Sequence, residues 1–346
     1  MDLARRYVCV RVTNMAGVDL SVYRFDYDLT FAALLMHADG TTYHRYGTRD
    51  HTATSRLSME SLARVLEETL KDHAEYSRNP SPPAREPPRT IEQLPPMARK
   101  LQSEKVNCFH CHMVNDAYRE QAQEEKRWSR EATIGMMPLP ERVGILLDRD
   151  EQNLVKTVTS RSPAEAAGVR AGDRLVRLAG ARIRTEADAQ WTLDGLPAGK
   201  TSAAIDLERS AETIRAAIEL EPGWKVPSDL EFSWRSTIWG LRPSPGFGGK
   251  KLDAGELAAE GLPAGAFALR VTYMVDWGEH AEDGRSARRA GLREGDVVLS
   301  ADGKSDFATE RHFQSWFRFA RKPGDRVKLE LLGEKKRSTI ELPLLP

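Results

Sequence analysis

The sequence predicts an α+β chain of several domains, and three observations support that prediction. A stretch of about ten residues occurs twice, so the C-terminal part contains two copies of one unit. A Pro-rich stretch at 77–96 separates these copies from an N-terminal region. That region shows a strand-turn-strand pattern followed by an amphipathic helix. At about 150 residues per domain, the 346 residues allow for two or three domains.

The composition limits the classes of protein and partner to which the chain can belong. Hydrophobic residues make up 40% and charged residues 29%, which is enough to bury cores. Lys+Arg and Asp+Glu both number 51, so the formal net charge is zero. Nucleic acids and anionic membranes attract strongly positive proteins, so neither is expected as the main partner. The longest apolar run, Phe31 to Met36, is too short for a transmembrane helix, which needs about 20 residues.

The internal repeat is the most informative feature of the sequence. The chain reads A-G-V-R-A-G-D-R-L at Ala167–Leu175 and A-G-L-R-E-G-D-V-V at Ala290–Val298. The two Gly-Asp pairs lie 123 residues apart, and Gln190 and Gln314 match at nearly the same offset. In each copy the Gly-Asp pair predicts a tight turn into a strand. An amphipathic helix with aromatic residues on its buried face is predicted to follow.

The first copy carries the motif S-P-A-x-x-A-G-V-x-x-G-D from Ser162 to Asp173. This motif and the order of elements resemble the PDZ domain in its bacterial form, which high-temperature-requirement proteases carry. The resemblance implies two PDZ domains, which are partly open β-barrels with helices, at 139–222 and 228–346. PDZ domains bind extended peptides at a strand edge, and an apolar-Gly-apolar loop receives the peptide carboxylate on backbone N–H groups.

The resemblance places this carboxylate loop at Val143-Gly144-Ile145 in the first copy. In the second copy the best match is Trp239-Gly240-Leu241, and Gly246-Phe247-Gly248 is a rival. The implied ligands are protein or peptide C-termini. An alternative for each copy is that the protein's own chain fills the groove, since a fold does not by itself establish a function.

The N-terminal region, residues 1–76, has a different pattern. Tyr7–Thr13 alternates and is rich in β-formers, and Asp39-Gly40 separates two further strand-like runs, which predicts a hairpin with a type I′ turn. An amphipathic helix is predicted over Leu57–Tyr76, with Ser58 as its cap. This order resembles the C-terminal part of a thioredoxin-like α/β/α domain. The first strand and the Cys-x-x-Cys of that fold do not precede it, so dithiol exchange at the usual position is not expected.

A semi-rigid linker is predicted at 77–96, and a small helical segment follows at 97–138. That segment contains Cys108-Phe109-His110-Cys111-His112, which is the C-x-x-C-H pattern of c-type haem attachment. One helical turn brings both thiols to one edge of a haem, and His112 would ligate the iron. Met136 or Met137 could supply the sixth ligand.

Other interpretations of the same motif remain open. Cys108 and Cys111 with nearby histidines could bind zinc, or the two cysteines could form a plain dithiol. Cys9 stands alone, so the three cysteines do not build a disulfide framework. The other histidines, among them His44, have no ligand-like spacing and are expected at surface or half-buried positions. No motif points to an enzyme with its own substrate pocket, so no catalytic residue is assigned.

A thioredoxin-like half, C-F-H-C-H and two PDZ copies, in that order, resemble a family of bacterial thioredoxin-like/PDZ proteins, some of whose members are selenoproteins. The resemblance implies a redox or electron-transfer role in the periplasm or cell envelope. It also motivates the hypothesis that the true start lies upstream of Met1, with a signal peptide and a Cys-x-x-Cys or selenocysteine-x-x-Cys. Without such an upstream start, the chain is expected in the cytoplasm.

These observations predict a redox or electron-transfer protein with haem c as its cofactor, coupled to PDZ domains that dock it to proteins or peptides. The alternative is a non-catalytic interaction or scaffold protein in which the Cys/His motif binds zinc or nothing. Covalently added porphyrin would separate the two predictions.

Overall fold

The computed structural model describes residues 3–52, 56–84, 86–103, 108–333 and 336–346. The chain is mixed α+β with several sheets and divides into two compact units, Met1–Pro227 (unit 1) and Ser228–Pro346 (unit 2). Met1, on which the prediction about the start depends, lies outside the described residues. Of the helices in the described ranges, none combines the length and the apolar character needed to span a bilayer.

Unit 1 begins with a hairpin and helices and ends with a β-rich part. Its helices are α1 (Met59–Tyr76), α2 (Pro95–Ser103), α3 (His112–Glu124), α4 (Arg130–Ile134), α5 (Pro163–Ala166) and α6 (Glu186–Asp194). Its strands are β1 (Ala33–Met36), β2 (Thr42–Tyr46), β3 (Ile145–Leu147), β4 (Val155–Val158), β5 (Arg174–Leu178), β6 (Ala181–Arg182), β7 (Thr201–Arg209) and β8 (Glu212–Leu220). Short 3-10 helices lie at Leu3–Arg6, Ile91–Gln93 and Pro140–Val143.

The predicted hairpin is present, but its turn differs from the predicted one. β1 and β2 pair antiparallel, and residues 37–41 connect them. Asp39 keeps a negative φ, whereas Gly40 has a φ of +97°. A type I′ turn needs positive φ at both central residues, so the predicted turn type was wrong. Instead, the Gly40 N–H donates to the His37 carbonyl at 3.1 Å and closes a four-residue turn that ends with the left-handed Gly40.

The predicted amphipathic helix is confirmed as α1, and Ser58 is its N-cap. The Ser58 hydroxyl accepts from the Ser61 N–H at 3.0 Å, and the Ser61 hydroxyl accepts from the Ser58 N–H at 3.1 Å. These reciprocal bonds satisfy two donors that the first helical turn leaves open. Val65 on the buried face packs with Leu35 and Tyr46 of the hairpin.

Tyr7–Thr13, the β-rich stretch of the sequence, forms no strand in the structure. Val8, Val10 and Val12 are 95%, 80% and 52% exposed. β-propensity needs a pairing neighbour to take effect, and among the described residues the sheet of β1 has β2 as its one other strand. The thioredoxin-like domain therefore stays a prediction, of which the structure contains the hairpin and the helix.

The C-terminal part of the predicted linker belongs to a hydrophobic core instead. Ile91 and Leu94 are fully buried and pack with Phe109, and α2 begins directly after Leu94. The exposed Pro-rich chain covers 77–84 and 86–89. The ordered segment that carries the C-x-x-C-H motif therefore begins earlier than the sequence indicated.

The β-rich part of unit 1 has a core of its own. A bridge between Leu154 and Arg174 links the pair β3-β4 to β5, and β5 continues the sheet in the order β6-β5-β7-β8. α6 begins after Thr185, whose hydroxyl accepts from the Asp188 N–H at 3.0 Å. The core contains, among others, Ile145, Val155, Leu175, Ala189, Leu193, Ile205 and Ile218.

Unit 2 contains the same order of strands in one antiparallel sheet. Its helices are α7 (Asp229–Phe232), α8 (Ala254–Ala259), α9 (Ala281–Arg289) and α10 (Glu310–Ala320), with 3-10 helices at Ser236–Gly240 and Gly278–His280. Its strands are β9 (Phe247–Lys251), β10 (Leu269–Met274), β11 (Val297–Ala301), β12 (Arg326–Gly333) and β13 (Lys336–Pro343), paired in the order β13-β12-β11-β10-β9. β9 to β13 therefore correspond to β3, β4, β5, β7 and β8, and α9 and α10 correspond to α5 and α6.

The Gly-Asp pairs of the sequence repeat form the same turn in both units. The Asp173 carboxylate and the Asp296 carboxylate each accept from the N–H three residues earlier at 2.8 Å. Gly172 and Gly295 have φ of +90° and +95°, a conformation that favours glycine. The sequence repeat is thus also a structural repeat.

Candidate functional site

Gly144 and Gly246 occupy equivalent positions, directly before the first strand of the repeated unit. Gly144 has a φ of +94° and precedes β3, and Gly246 has a φ of +77° and precedes β9. The Gly144 carbonyl accepts from the Thr159 N–H just after β4 at 2.9 Å, and the Gly246 carbonyl accepts from the Val275 N–H just after β10 at 2.9 Å. The same backbone geometry therefore leads into both strands.

The geometry at these glycines directs the next peptide groups away from the neighbouring strand. Consecutive carbonyls of a strand point to opposite sides, and each residue's N–H and carbonyl share a side. Since the Gly144 carbonyl faces β4, the N–H and carbonyl of Ile145 face the other edge of β3, and the same holds for Phe247 in β9. Among the described residues, β9 is an edge strand and β3 pairs with β4 alone. We call the strip between β3 and α6 groove 1, and the strip between β9 and α10 groove 2.

In unit 1, residues of the hairpin cover α6. The Arg45 N–H donates to the Asp188 carboxylate at 2.8 Å, and the Thr185 hydroxyl donates to the Arg45 carbonyl. The Arg45 guanidinium lies 4.0 Å from the centre of the Trp191 ring, within the range of a cation–π contact. α6 is therefore packed between the β-rich core on one side and the hairpin on the other.

His44 joins the hairpin, α1 and α6 from a buried position. Its Nε2 lies 2.7 Å from the Asp72 carboxylate of α1, and its Nδ1 lies 2.9 Å from the Asp188 carboxylate of α6. Burial lowers the pKa of His44, but the two carboxylates outweigh burial and raise its pKa to about 8. Arg182 and Arg184 also form ion pairs with the Asp72 carboxylate and share its charge with His44. The expected surface or half-buried position of His44 was wrong, since its side chain is 2% exposed.

Arg56 joins α6 to the 3-10 helix that precedes β3, next to groove 1. Its guanidinium bonds to Glu141 in the 3-10 helix that precedes the Gly144 loop and to Glu186 at the start of α6. Its Nε donates to Asp50 at 2.9 Å. Burial lowers the pKa of Arg56, but the carboxylates outweigh it, and burial raises the pKa of Glu186 while Arg56 opposes that shift. A guanidinium from the protein's own chain thus lies next to groove 1, at the start of α6.

In unit 2, two side chains close on the first strand. The Gln314 Nε2 donates to the Phe247 carbonyl at 2.8 Å, so this acceptor on the free edge of β9 already has a donor. Tyr273 of β10 pairs with Gly248 of β9, and its ring lies over the glycine. A Cβ on Gly248 would come within 2.2 Å of the Tyr273 Cζ and Oη atoms.

The loop predicted for the second copy, Trp239-Gly240-Leu241, does not lead directly into a strand. Trp239 and Gly240 belong to the 3-10 helix Ser236–Gly240, and this segment packs on α10, where the Arg318 Nε donates to the Ile238 carbonyl at 2.9 Å. The rival loop, Gly246-Phe247-Gly248, begins with Gly246, which has the position in unit 2 that Gly144 has in unit 1.

The C-x-x-C-H motif lies at the start of α3. Cys108 is an exposed free thiol, Cys111 is a half-buried free thiol, and the His112 side chain is 43% exposed. The Cys111 Sγ donates to the Leu29 carbonyl at 3.4 Å, and burial raises the pKa of this thiol. The rings of His110 and His112 stack with 5.8 Å between their centres. The two thiols therefore differ in exposure, with Cys111 facing the protein interior.

Met136 and Met137, the predicted sixth ligands, line a cavity of about 490 Å³ in unit 1. α3 contributes Asn115 and Tyr118 to this cavity, and α6 contributes Trp191. The two cysteines and the last histidine of the motif are not among its lining residues. Met136 and Met137 therefore line this cavity, whereas Cys108, Cys111 and His112 lie outside its lining. Within the part of the chain that the structure describes, no group of three or more His, Cys, Asp or Glu side chains is placed to bind a metal ion.

Sequence reasoning missed the contacts of His44 and Arg56 with α6. Their α6 partners lie 144 and 130 residues further along the chain, so no local spacing indicates either contact. The one available signal for the groove helix was the repeat itself, which matched Gln190 with Gln314. Gln314 bonds to the first strand of its unit, whereas Gln190 bonds to the Met137 carbonyl at 2.7 Å.

Comparisons with known proteins identify one domain family in this chain. The family model described as PDZ domain matches residues 154–201, and no curated protein matches the chain. The HtrA-type protease AlgW with a decapeptide is similar at 16% identity and a TM-score of 0.25, over 44% of this chain and 51% of that chain. A variant of AlgW with a decapeptide is similar at the same identity and TM-score, over 41% of this chain and 40% of that chain. The chain thus spans about half the length of these proteases or less, and its residues 154–201 are part of a PDZ domain.

Proposed function

We propose that the protein binds peptides or proteins at the free edge of the first strand in each unit, and that unit 2 is a second PDZ domain. The equivalence of Gly144 and Gly246 carries this proposal. Each glycine turns the chain into a strand whose next N–H and carbonyl face a groove beside a long helix. The PDZ match supports binding in unit 1, and the shared strand order supports it in unit 2.

An extended peptide with a free C-terminus is the ligand that suits these edges. Its backbone would add a strand to β3 or β9, and its carboxylate would accept from the N–H groups at the loop. In this proposal the loops are Val143-Gly144-Ile145 and Gly246-Phe247-Gly248. The latter replaces Trp239-Gly240-Leu241, because only a loop directly before the strand can place a carboxylate at the strand's first N–H.

An array of ten-residue peptides with varied apolar C-terminal residues tests the proposal. Each peptide is offered to the full chain as the free acid and as the amide, and bound peptides are then used in hydrogen exchange. We expect binding of free acids over amides, with new protection at 143–147 and 186–194 or at 246–251. No binding from the array, or equal binding of acids and amides without protection at either strand, would overturn the proposal.

Electron transfer with haem c bound to Cys108, Cys111 and His112 is the second candidate. It is favoured by one observation, namely that α3, which begins with His112, also lines the cavity of Met136 and Met137. Covalent haem attachment takes place outside the cytoplasm, so this candidate requires export. Expression with a cytochrome maturation system followed by intact mass measurement tests it, with Cys111→Ala as the control. An unchanged mass excludes haem, and stoichiometric zinc in the same sample would support the zinc alternative.

A further inference from the structure

Arg56 forms a buried cluster with carboxylates from two elements that flank groove 1. Its guanidinium sits between the 3-10 helix that leads into the Gly144 loop and the first residue of α6. The Arg56 side chain is 12% exposed and the Glu186 side chain is 2% exposed, so water screens this contact little. The groove therefore already presents two carboxylates to one cation.

The arrangement of the carboxylates suits a guanidinium better than an ammonium group. Asp50, Glu141 and Glu186 bond to three different nitrogens of Arg56, which a planar fork of donors can satisfy at once. A lysine ammonium is a compact charge on a flexible stem and cannot match this fork. The second oxygen of Glu141, Oε2, is buried and has no hydrogen-bond partner among the described residues, so a further donor could be accommodated.

Only one of the three carboxylates belongs to the hairpin side of the contact. Asp50 follows the hairpin, whereas Glu141 and Glu186 are part of the β-rich part that forms groove 1. If Arg56 leaves, the two groove carboxylates remain together in a buried place. A buried carboxylate without a partner is costly, so the empty site would favour any ligand that supplies a cation.

We propose that Glu141 and Glu186 receive the guanidinium of an arginine in a bound peptide, and that Arg56 holds this place until such a peptide displaces it. This inference rests on the proposed function, because it names the class of peptide that groove 1 selects. A partner must therefore carry an arginine as well as a free C-terminus, and its affinity is reduced by competition with Arg56.

Paired peptides test the inference on the full chain. Eight-residue free acids ending in valine carry one arginine, moved through successive positions, and each has a partner peptide with neutral citrulline at that position. They are titrated into wild type, Arg56→Ala, Arg56→Ala/Glu186→Gln and the control Arg64→Ala, which removes an exposed ion pair with Glu151. We expect Arg56→Ala to bind one arginine peptide about tenfold more tightly than its citrulline partner and about tenfold more tightly than wild type does.

The outcomes separate this inference from the proposed function. The arginine preference should vanish in Arg56→Ala/Glu186→Gln, and Arg64→Ala should behave as wild type. Equal binding of arginine and citrulline peptides by Arg56→Ala overturns the inference and leaves peptide binding intact. Because removal of Arg56 could unfold unit 1, Asp50→Asn gives a second test. It loosens Arg56 without altering the groove carboxylates, and unchanged affinity for arginine peptides in a folded Asp50→Asn protein would also contradict the inference.

Discussion

The two units share one strand order but hold their groove helices in different ways. In unit 1, α6 is held by ionised side chains, through Asp188 with His44 and through Glu186 with Arg56. In unit 2, α10 is held mainly by aromatic packing and by bonds to backbone carbonyls. Phe319 lies 5.4 Å from Phe232 between ring centres, for example. The groove helix is therefore held by side-chain ion pairs in unit 1, and by ring contacts, bonds to backbone carbonyls and the His312–Asp229 contact in unit 2.

This difference bears on how each groove can open. A buried ion pair loses most of its value when one partner leaves, but a ligand with the same charge can replace that partner. Aromatic packing is lost in proportion to the area that is exposed, and a peptide has no simple way to replace it. We therefore expect ligand binding in groove 1 to depend on the charge of the ligand, and ligand binding in groove 2 not to depend on it.

The two units also differ in the residues that pair between their first and second strands. Leu146 pairs with Thr157 in unit 1, and Gly248 pairs with Tyr273 at the equivalent place in unit 2. The large side chain is on the first strand in unit 1 and on the second strand in unit 2. In both units, one side chain of the pair is therefore large and the other is small.

The largest expected effect concerns the loop glycines. A Cβ on Gly246 would lie 2.2 Å from the backbone of Asp283, whereas one on Gly144 would collide only with the side chain of Ser162. We expect Gly246→Ala to lower the free energy of unfolding of unit 2 by about 3 kcal/mol. Gly144→Ala should cost unit 1 a similar amount, but Gly144→Ala/Ser162→Gly should recover about half of it, because the clashing atoms are gone.

Matched controls at the Gly-Asp turns separate the collision from backbone strain. Gly172 and Gly295 also have positive φ, but a Cβ on either meets no atom within 4 Å. Gly172→Ala and Gly295→Ala should each cost only about 1 kcal/mol. Urea unfolding followed by hydrogen exchange reports the units separately. If Gly246→Ala cost no more than Gly295→Ala, the assignment of Gly246 to the tight loop would be wrong.

The second prediction concerns pH, for which the two units should respond in opposite directions. His44 has a pKa raised to about 8 from an ordinary value of 6.5, so its stabilising effect is complete below pH 6.5 and is lost as the pH rises through 8. The loss amounts to about 2 kcal/mol for unit 1. His312 on α10 is 6% exposed, and burial lowers its pKa, so unit 2 should lose stability as the pH falls below 6.5.

Substitution of each histidine by glutamine tests whether that histidine causes the pH dependence of its unit. His44→Gln should reduce the pH dependence of unit 1 between pH 6.5 and 9 by about 2 kcal/mol, and His312→Gln should reduce that of unit 2 between pH 5 and 6.5. Hydrogen exchange of α6 and α10 peptides, corrected for intrinsic rates, gives the two profiles. An unchanged slope for unit 1 in His44→Gln would show that other groups carry the alkaline loss.

The parts of the fold that follow local patterns could be predicted from the sequence, and the parts set by distant contacts could not. Ser58 at the start of α1 and the Gly-Asp turns of the repeat depend on neighbouring residues, so their patterns are visible in the chain. Trp239-Gly240-Leu241 and Gly246-Phe247-Gly248 were both candidates for the carboxylate loop, and only the backbone conformation before β9 distinguishes them. The contacts of Arg56 are with residues far along the chain, so no local spacing predicts them. Tyr7–Thr13 has the composition of a strand but lacks the pairing partner that a strand requires.

The smallest expected effect tests the exchanged pair on the first two strands. Gly248→Ala should destabilise unit 2 by about 1 kcal/mol, because the new Cβ must push away the ring of Tyr273, which can move at its far end. Tyr273→Thr alone should destabilise unit 2 by about 1 kcal/mol, because β9 loses the ring that packs over Gly248. The double variant should cost less than the sum, since threonine at 273 leaves room for the new Cβ at 248, as Thr157 does for Leu146 in unit 1. A coupling energy of zero in this double-mutant cycle would mean that the two positions do not compensate one another, and the equivalence of the strands would then rest on the glycine loops alone.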